Sequence, residues 1–157
     1  AMGINRPSLY ATFGCKEQLF RRALDRYAEG PAAYMATALE APTGGEVIRR
    51  ILEGTLQMLS DPHHPAGCLA VHAALACGEA AQSVREELCR RRAQVQQALI
   101  ERLKQAEQAG EWSAGSAEPL AGFVMSVVYG MSVQAKSGAS PEELRRVMEM
   151  ALRCCEG

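Results

Sequence analysis

The sequence predicts an all-α fold. The strong helix formers Ala, Leu, Glu, Gln and Arg dominate the chain, the period-two alternation of a half-buried strand is missing, and Pro and Gly cut the rest into helix-sized pieces. Hydrophobic residues make up 48% of the 157 residues and charged ones 22%, so the chain can bury a core and is not disordered. The length suits one domain with a small appendage.

Taken in order, Asn5 is a good N-cap, Pro7 falls in the first turn where its missing N–H breaks no helical bond, and Gly14 supplies a stop. These signals predict a helix over 5–13, about 13 Å long and too short to stand alone. Leu9 and Phe13 form its inward face, while Arg6 and Tyr10 make a second line beside Pro7, Ser8 and Ala11. A second helix follows over 16–28, with Leu19, Phe20, Ala23, Leu24 and Tyr27 at helical spacing, and Gly30-Pro31 breaks it. Residues 31–41 read as helical up to a turn at 42–45. Helix 45–60 carries a wide stripe of Val47, Ile48, Ile51, Leu52, Thr55, Leu56 and Leu59.

After the loop 61–65, residues 66–79 read as a mostly apolar helix at the centre of a bundle. Ser83 with Glu86 reads as a capping box that opens a long helix to 108, whose thin apolar line is Val84, Leu88, Val95, Leu99 and Leu103. Arg90, Arg91 and Arg92 interrupt that line and read as a solvated face. A loop at 110–115 holds Trp112. Helix 118–137 carries Leu120, Phe123, Val124, Val127, Val128 and Met131 on one stripe. Beside it run the small residues Gly122, Ser126 and Gly130, which let another helix approach closely. Ser140-Pro141-Glu142-Glu143 is a full start signal for a last helix with Leu144, Val147, Met148, Ala151 and Leu152 inward, and Met150 and Cys154 on a second apolar edge.

Composition excludes some classes. Net charge is −1, so any nucleic-acid affinity must be local. Residues 1–30 do hold five cations (Arg6, Lys16, Arg21, Arg22 and Arg26) against three acids. No apolar run approaches the roughly 18 residues of a membrane span, and no secretory signal is evident, which leads to the expectation of a cytoplasmic protein without membrane partners. The six cysteines (Cys15, Cys68, Cys77, Cys89, Cys154 and Cys155) read as reduced thiols, and none forms a zinc-type C-x-x-C pair. Neither a metal nor a cofactor is expected.

A short capped helix, a glycine stop and a second helix opening on Lys16 have the shape of a nucleic-acid reading head. Arginine can fork to guanine, hydroxyls of Ser and Tyr reach phosphates or base edges, and a lysine at a helix start attracts phosphate. The run G-I-N-R-P-S-L-Y-A-T-F followed by K-E-Q-L-F resembles the second half of the helix-turn-helix of the tetracycline-repressor (TetR) family. Gly3, Ile4, Leu9, Tyr10, Phe13, Lys16, Glu17, Leu19 and Phe20 match the family pattern, and Thr12 departs from the histidine often found there. Carried over residue by residue, Arg6 and Pro7 match the base-reading places. Asn5, Ser8, Tyr10, Thr12 and Lys16 match those that hold the DNA backbone. In that family two further helices come before this point, so the chain as it stands is expected to bind DNA weakly. Past residue 28 the similarity is diffuse, carried by the helix pattern and by Y-G-M-S-V-Q-A-K-S-G-A-S-P-E-E-L.

The resemblance implies residues 1–29 as part of a DNA-binding domain and 30–157 as an effector-binding and dimerisation domain. It implies double-stranded operator DNA as the partner of the full-length protein, with an apolar small-molecule effector that releases it. The polar or polarisable residues on otherwise apolar helices are Met58, Cys68, His72, Met125 and Tyr129, the candidate pocket lining. Two adjacent C-terminal helices with more apolar face than one core needs point to a homodimer through Gly122, Ser126, Gly130, Val147, Met150 and Cys154. The competing readings are a small helical enzyme using Cys68 and His72, which share a helix face, or a dimerisation module without ligand.

Overall fold

A computed structural model describes residues 14–65, 67–71, 82–113 and 115–156. Among them run six helices: α1 Lys16–Glu29, α2 Tyr34–Ala38, α3 Gly44–Ser60, α4 Gln82–Gln108, α5 Ala117–Lys136 and α6 Pro141–Glu156. No strand occurs among the described residues. Residues 69–71 are helical as well.

The centre of the bundle is α3 packed against α5 and α6, with the C-terminal half of α4 closing it. Val47, Ile51, Leu52, Leu99, Leu103, Val124 and Met131 are sealed from solvent there. Two hydroxyls sit among them without penalty, because each returns its proton to its own helix: Thr55 to the Ile51 carbonyl at 2.7 Å and Ser132 to the Val128 carbonyl at 2.9 Å.

Local chemistry sets the helix ends. Thr43 Oγ1 accepts from the Glu46 N–H at 3.2 Å, so α3 starts one residue earlier than its stripe suggests. The Gly44 N–H donates to the Glu111 carboxylate at 2.8 Å, tying the α4–α5 loop to that positive helix end. Nearby, Trp112 Nε1 donates to the Cys155 carbonyl at 3.4 Å. Ser140 and Glu143 exchange hydrogen bonds around the start of α6, and Gly138, at φ 97°, makes the left-handed turn that ends α5. Arg102 fastens the α2–α3 turn by donating to the carbonyls of Leu39 at 3.2 Å and Ala41 at 2.7 Å.

Several sequence expectations are corrected. The helix expected over 31–41 is only Tyr34–Ala38, because Pro31 and Pro42 bracket it and the rest folds as turns. Ser83 is not a cap: it lies inside α4, and its hydroxyl donates to Glu17 of α1 at 3.0 Å. Phe123 leaves the expected core stripe at 40% exposed, and Val95 is 38% exposed. The inner face of α5 is carried by Ala117, Ala121, Val124, Met125, Val128 and Ser132. The helix expected over 66–79 lies largely outside the described residues.

Candidate ligand cavity and recognition segment

Between α1 and the bundle the chain leaves a cavity of about 140 Å³. Leu24 and Tyr27 of α1 form one wall, Tyr34 and Met35 of α2 another, and Met58 of α3 the floor. Cys68 and Val71 enter from the segment 67–71, Arg91, Arg92 and Val95 from α4, and Met125, Val128 and Tyr129 from α5. Of the residues singled out in the sequence, Met58, Cys68, Met125 and Tyr129 therefore come together around one space. His72 lies outside the described residues.

The cavity wall is nearly all hydrocarbon, and the phenols around it are mostly engaged. Tyr27 donates to the Met58 sulfur at 3.1 Å, and Tyr34 shares a 3.0 Å hydrogen bond with Thr55. Burial raises Tyr27 above its ordinary pKa, with the neighbouring Cys68 thiol adding to the shift. Burial pushes Tyr34 up to about 12 against the opposing Thr55 hydrogen bond. Tyr129 is also raised by burial, with Arg92 pulling the other way. All three are neutral phenols at physiological pH. Tyr34 reaches its place because Gly54 leaves a notch in α3, where a Cβ would lie 2.7 Å from the Tyr34 Cγ.

The three arginines do not share one environment, which corrects their reading as a single solvated face. Arg90 is exposed and pairs with Glu87 at 2.7 Å. Arg91 pairs with Glu87 at 2.6 Å and reaches Asp25 of α1 at 2.6 Å. Together with Ser83–Glu17, this pair straps α1 to α4. Glu87 is held down to about 2 by its hydrogen bonds from Arg90 first and Arg91 second. Arg92 turns inward, its guanidinium carbon 5.7 Å from the centroid of the Tyr129 ring. Sequence reasoning missed Arg92, Tyr27 and Tyr34. The only available signal was that Arg92 falls in the thin apolar line of α4.

The other expected sites are placed unevenly. Asn5, Arg6, Pro7, Ser8, Tyr10 and Thr12 lie outside the described residues. Lys16 is the first residue of α1, directly after the Gly14 turn with φ 77°. Gly122, Ser126 and Gly130 lie along α5 and Val147, Met150 and Cys154 along α6, two helices that pack side by side. A Cβ on Gly122 or Gly130 would meet nothing within 4 Å, and Met150 is 56% exposed, so this face is unpartnered in the single chain. Among the described residues no three His, Cys, Asp or Glu side chains gather as a metal site would require, and no helix is long and apolar enough to cross a membrane.

A bundle with a cavity beside the helix that follows a reading segment defines a class, the ligand-responsive helical transcriptional regulators. The family description "Tetracyclin repressor-like, C-terminal domain" matches residues 44–151. The transcriptional repressor ComR of Escherichia coli K12 is 30% identical over 156 residues, covering 98% of this chain and 74% of ComR. Among solved structures, the TetR family regulator CifR, in a cysteine-substituted form complexed with 26 bp of double-stranded operator DNA, superposes with a TM-score of 0.89 at 38% identity, over 97% of this chain and 81% of CifR. A TetR regulator from Rhodococcus sp. RHA1 gives 0.71 at 36% identity, over 98% and 82%. The chain belongs to the TetR family, and is a ligand-responsive, DNA-binding transcriptional regulator.

Proposed function

We propose that this regulator is a homodimeric repressor, acting in the cytoplasm, that leaves its operator when a small apolar effector enters the cavity beside α1. One observation carries the reading: Leu24 and Tyr27, which wall the cavity, belong to the helix that begins at Lys16 and follows the reading segment. An occupant that presses on α1 therefore changes where residues 5–13 are held. Arg6 and Pro7 read bases, and Asn5, Ser8, Tyr10, Thr12 and Lys16 hold phosphates. Two such heads must fit major-groove turns about 34 Å apart, so a small rotation of α1 in each subunit breaks the register. The effector needs a preference of only a few kcal/mol for the released arrangement.

The dimer closes through the α5–α6 face, where Gly122, Ser126 and Gly130 let a second copy approach and Val147, Met150 and Cys154 supply apolar surface. Residues 1–29 act as the DNA-binding part and 30–157 as the effector and dimer part. On this proposal Cys68 belongs to the lining of the cavity, where the Tyr27 phenol is its neighbour, and has no catalytic part.

The test is selection of duplexes from a random pool by the chain extended at its N-terminus to a whole helix-turn-helix. A preferred two-half-site duplex is expected, with Arg6→Ala relaxing base preference and Tyr10→Ala weakening all sites alike. No preferred duplex, or the same preference in both variants, overturns the proposal.

A further inference from the structure

We propose that the cavity takes an apolar acid, a hydrocarbon body with one carboxylate head, and that Arg92 binds the head. The inference rests on the reading of this cavity as the effector site and goes beyond it by naming the ligand's chemistry.

Three consecutive arginines of α4 differ in their partners. The first two have carboxylate partners, Arg90 with Glu87 and Arg91 with Glu87 and Asp25. Arg92 is in no ion pair among the described residues, although like Arg91 it lines the cavity. Its Nε is buried and has no hydrogen-bond partner. Its Nη2 donates only to the Ala70 carbonyl, at 3.4 Å, near the long limit for such a bond. The Tyr129 ring covers a face of the guanidinium but offers no acceptor in its plane, where the five N–H donors point.

A half-buried cation with no counter-charge, whose buried Nε meets no acceptor, is costly, and proteins keep few of them. The cost here falls at the edge of an otherwise hydrocarbon space in which the Tyr27 hydroxyl is engaged with Met58 and the Tyr34 hydroxyl with Thr55. Among the described residues, Arg92 Nε is the buried polar atom of the lining left without a partner, and it belongs to a cation. A planar carboxylate answers it best, because it pairs with a guanidinium by two parallel hydrogen bonds and cancels the charge. A hydroxyl or carbonyl would satisfy the donor but leave the charge buried. The arrangement also carries consequence, since the neighbouring residue Arg91 holds α1 through Asp25. A head group seated on Arg92 therefore acts beside the strap that fixes α1 on α4.

The experiment is displacement of the neutral fluorophore N-phenyl-1-naphthylamine from the protein by three size-matched compounds: 4-phenylbutyrate, 4-phenylbutan-1-ol and 4-phenylbutylamine. The acid is expected to compete at a concentration at least about tenfold below the alcohol, with the amine weakest. Arg92→Gln should bring the acid to the alcohol's level while fluorophore binding persists, and Arg92→Lys should keep part of the preference. Equal competition by acid and alcohol on the unaltered protein overturns the inference and leaves the cavity reading standing, and so does an acid preference that survives Arg92→Gln. If neither the fluorophore nor any of the three compounds enters, the cavity reading itself fails and takes this inference with it. Should Arg92→Gln not fold, the ratio of acid to alcohol on the unaltered protein and on Arg92→Lys decides.

Discussion

The two ends of α4 sit in opposite kinds of surroundings. Toward its C-terminus, Leu99 and Leu103 press into the core made with α3 and α5, and Ala106 is sealed from solvent with them. Toward its N-terminus, Arg91, Arg92 and Val95 border the cavity, and the contact with α1 is made by polar straps at Asp25 and Glu17. One end is built to stay put. The other adds to its buried Leu88 a set of polar straps that water can replace, which is what a moving part requires.

The same substitution on the helix facing each end separates them most widely. Leu52→Ala, in the sealed half, should cost about 3 kcal/mol in urea unfolding, because its neighbours cannot collapse into the void. Leu24→Ala, at the cavity wall, should cost about half as much, since that side chain already borders empty space. Equal costs would erase the contrast. Next in size is Gly44→Ala, where a new Cβ would lie 2.7 Å from Ala106 Cβ and collide with the Trp112 ring. A loss of about 1–3 kcal/mol by the same measurement is expected.

Gly130→Ala sharpens a third region, the open α5 face. With nothing within 4 Å to strike, the methyl should stabilise the single chain by about 0.5–1 kcal/mol. If a second copy seats there, sedimentation should show weaker self-association at the same time; unaltered association would remove Gly130 from the interface.

The smallest effect concerns acid. Glu87 titrates near 2 when folded, against its ordinary 4.5, because Arg90 and Arg91 hydrogen-bond its ionised form. Folding favours that ionised form, so its contribution is complete above about 4.5 and is lost as pH falls toward 2. The contribution is small, since surface ion pairs are screened. Carboxyl resonances followed by NMR should show the low midpoint, and Glu87→Gln should flatten the stability slope in this window.

The sequence made the helices legible because their signals are local. Thr43, Gly138 and the Ser140–Glu143 pair end or start helices with groups a few residues away. It failed where a side chain's partner lies far along the chain. Ser83 looks like a cap until Glu17 of α1 is beside it, and Arg90–Arg92 look alike until Asp25 claims one and Tyr129 covers another. Helical periodicity placed Phe123 and Val95 inside because it cannot tell a face that meets the core from one that meets a cavity or an unpartnered surface. Met58, Cys68, Met125 and Tyr129 were found by another route: polarisable side chains on apolar helices tend to gather where packing is incomplete.

Gly54 gives the cavity a size adjustment that needs no change in any lining residue. The Tyr34 ring lies in the gap that this glycine leaves in α3, and the ring is one wall of the cavity. Any side chain at position 54, even a single methyl, pushes the ring outward and redraws that wall, while every lining residue keeps its identity. Relatives with alanine or serine at this place are thus expected to admit molecules of different girth from the same set of lining side chains.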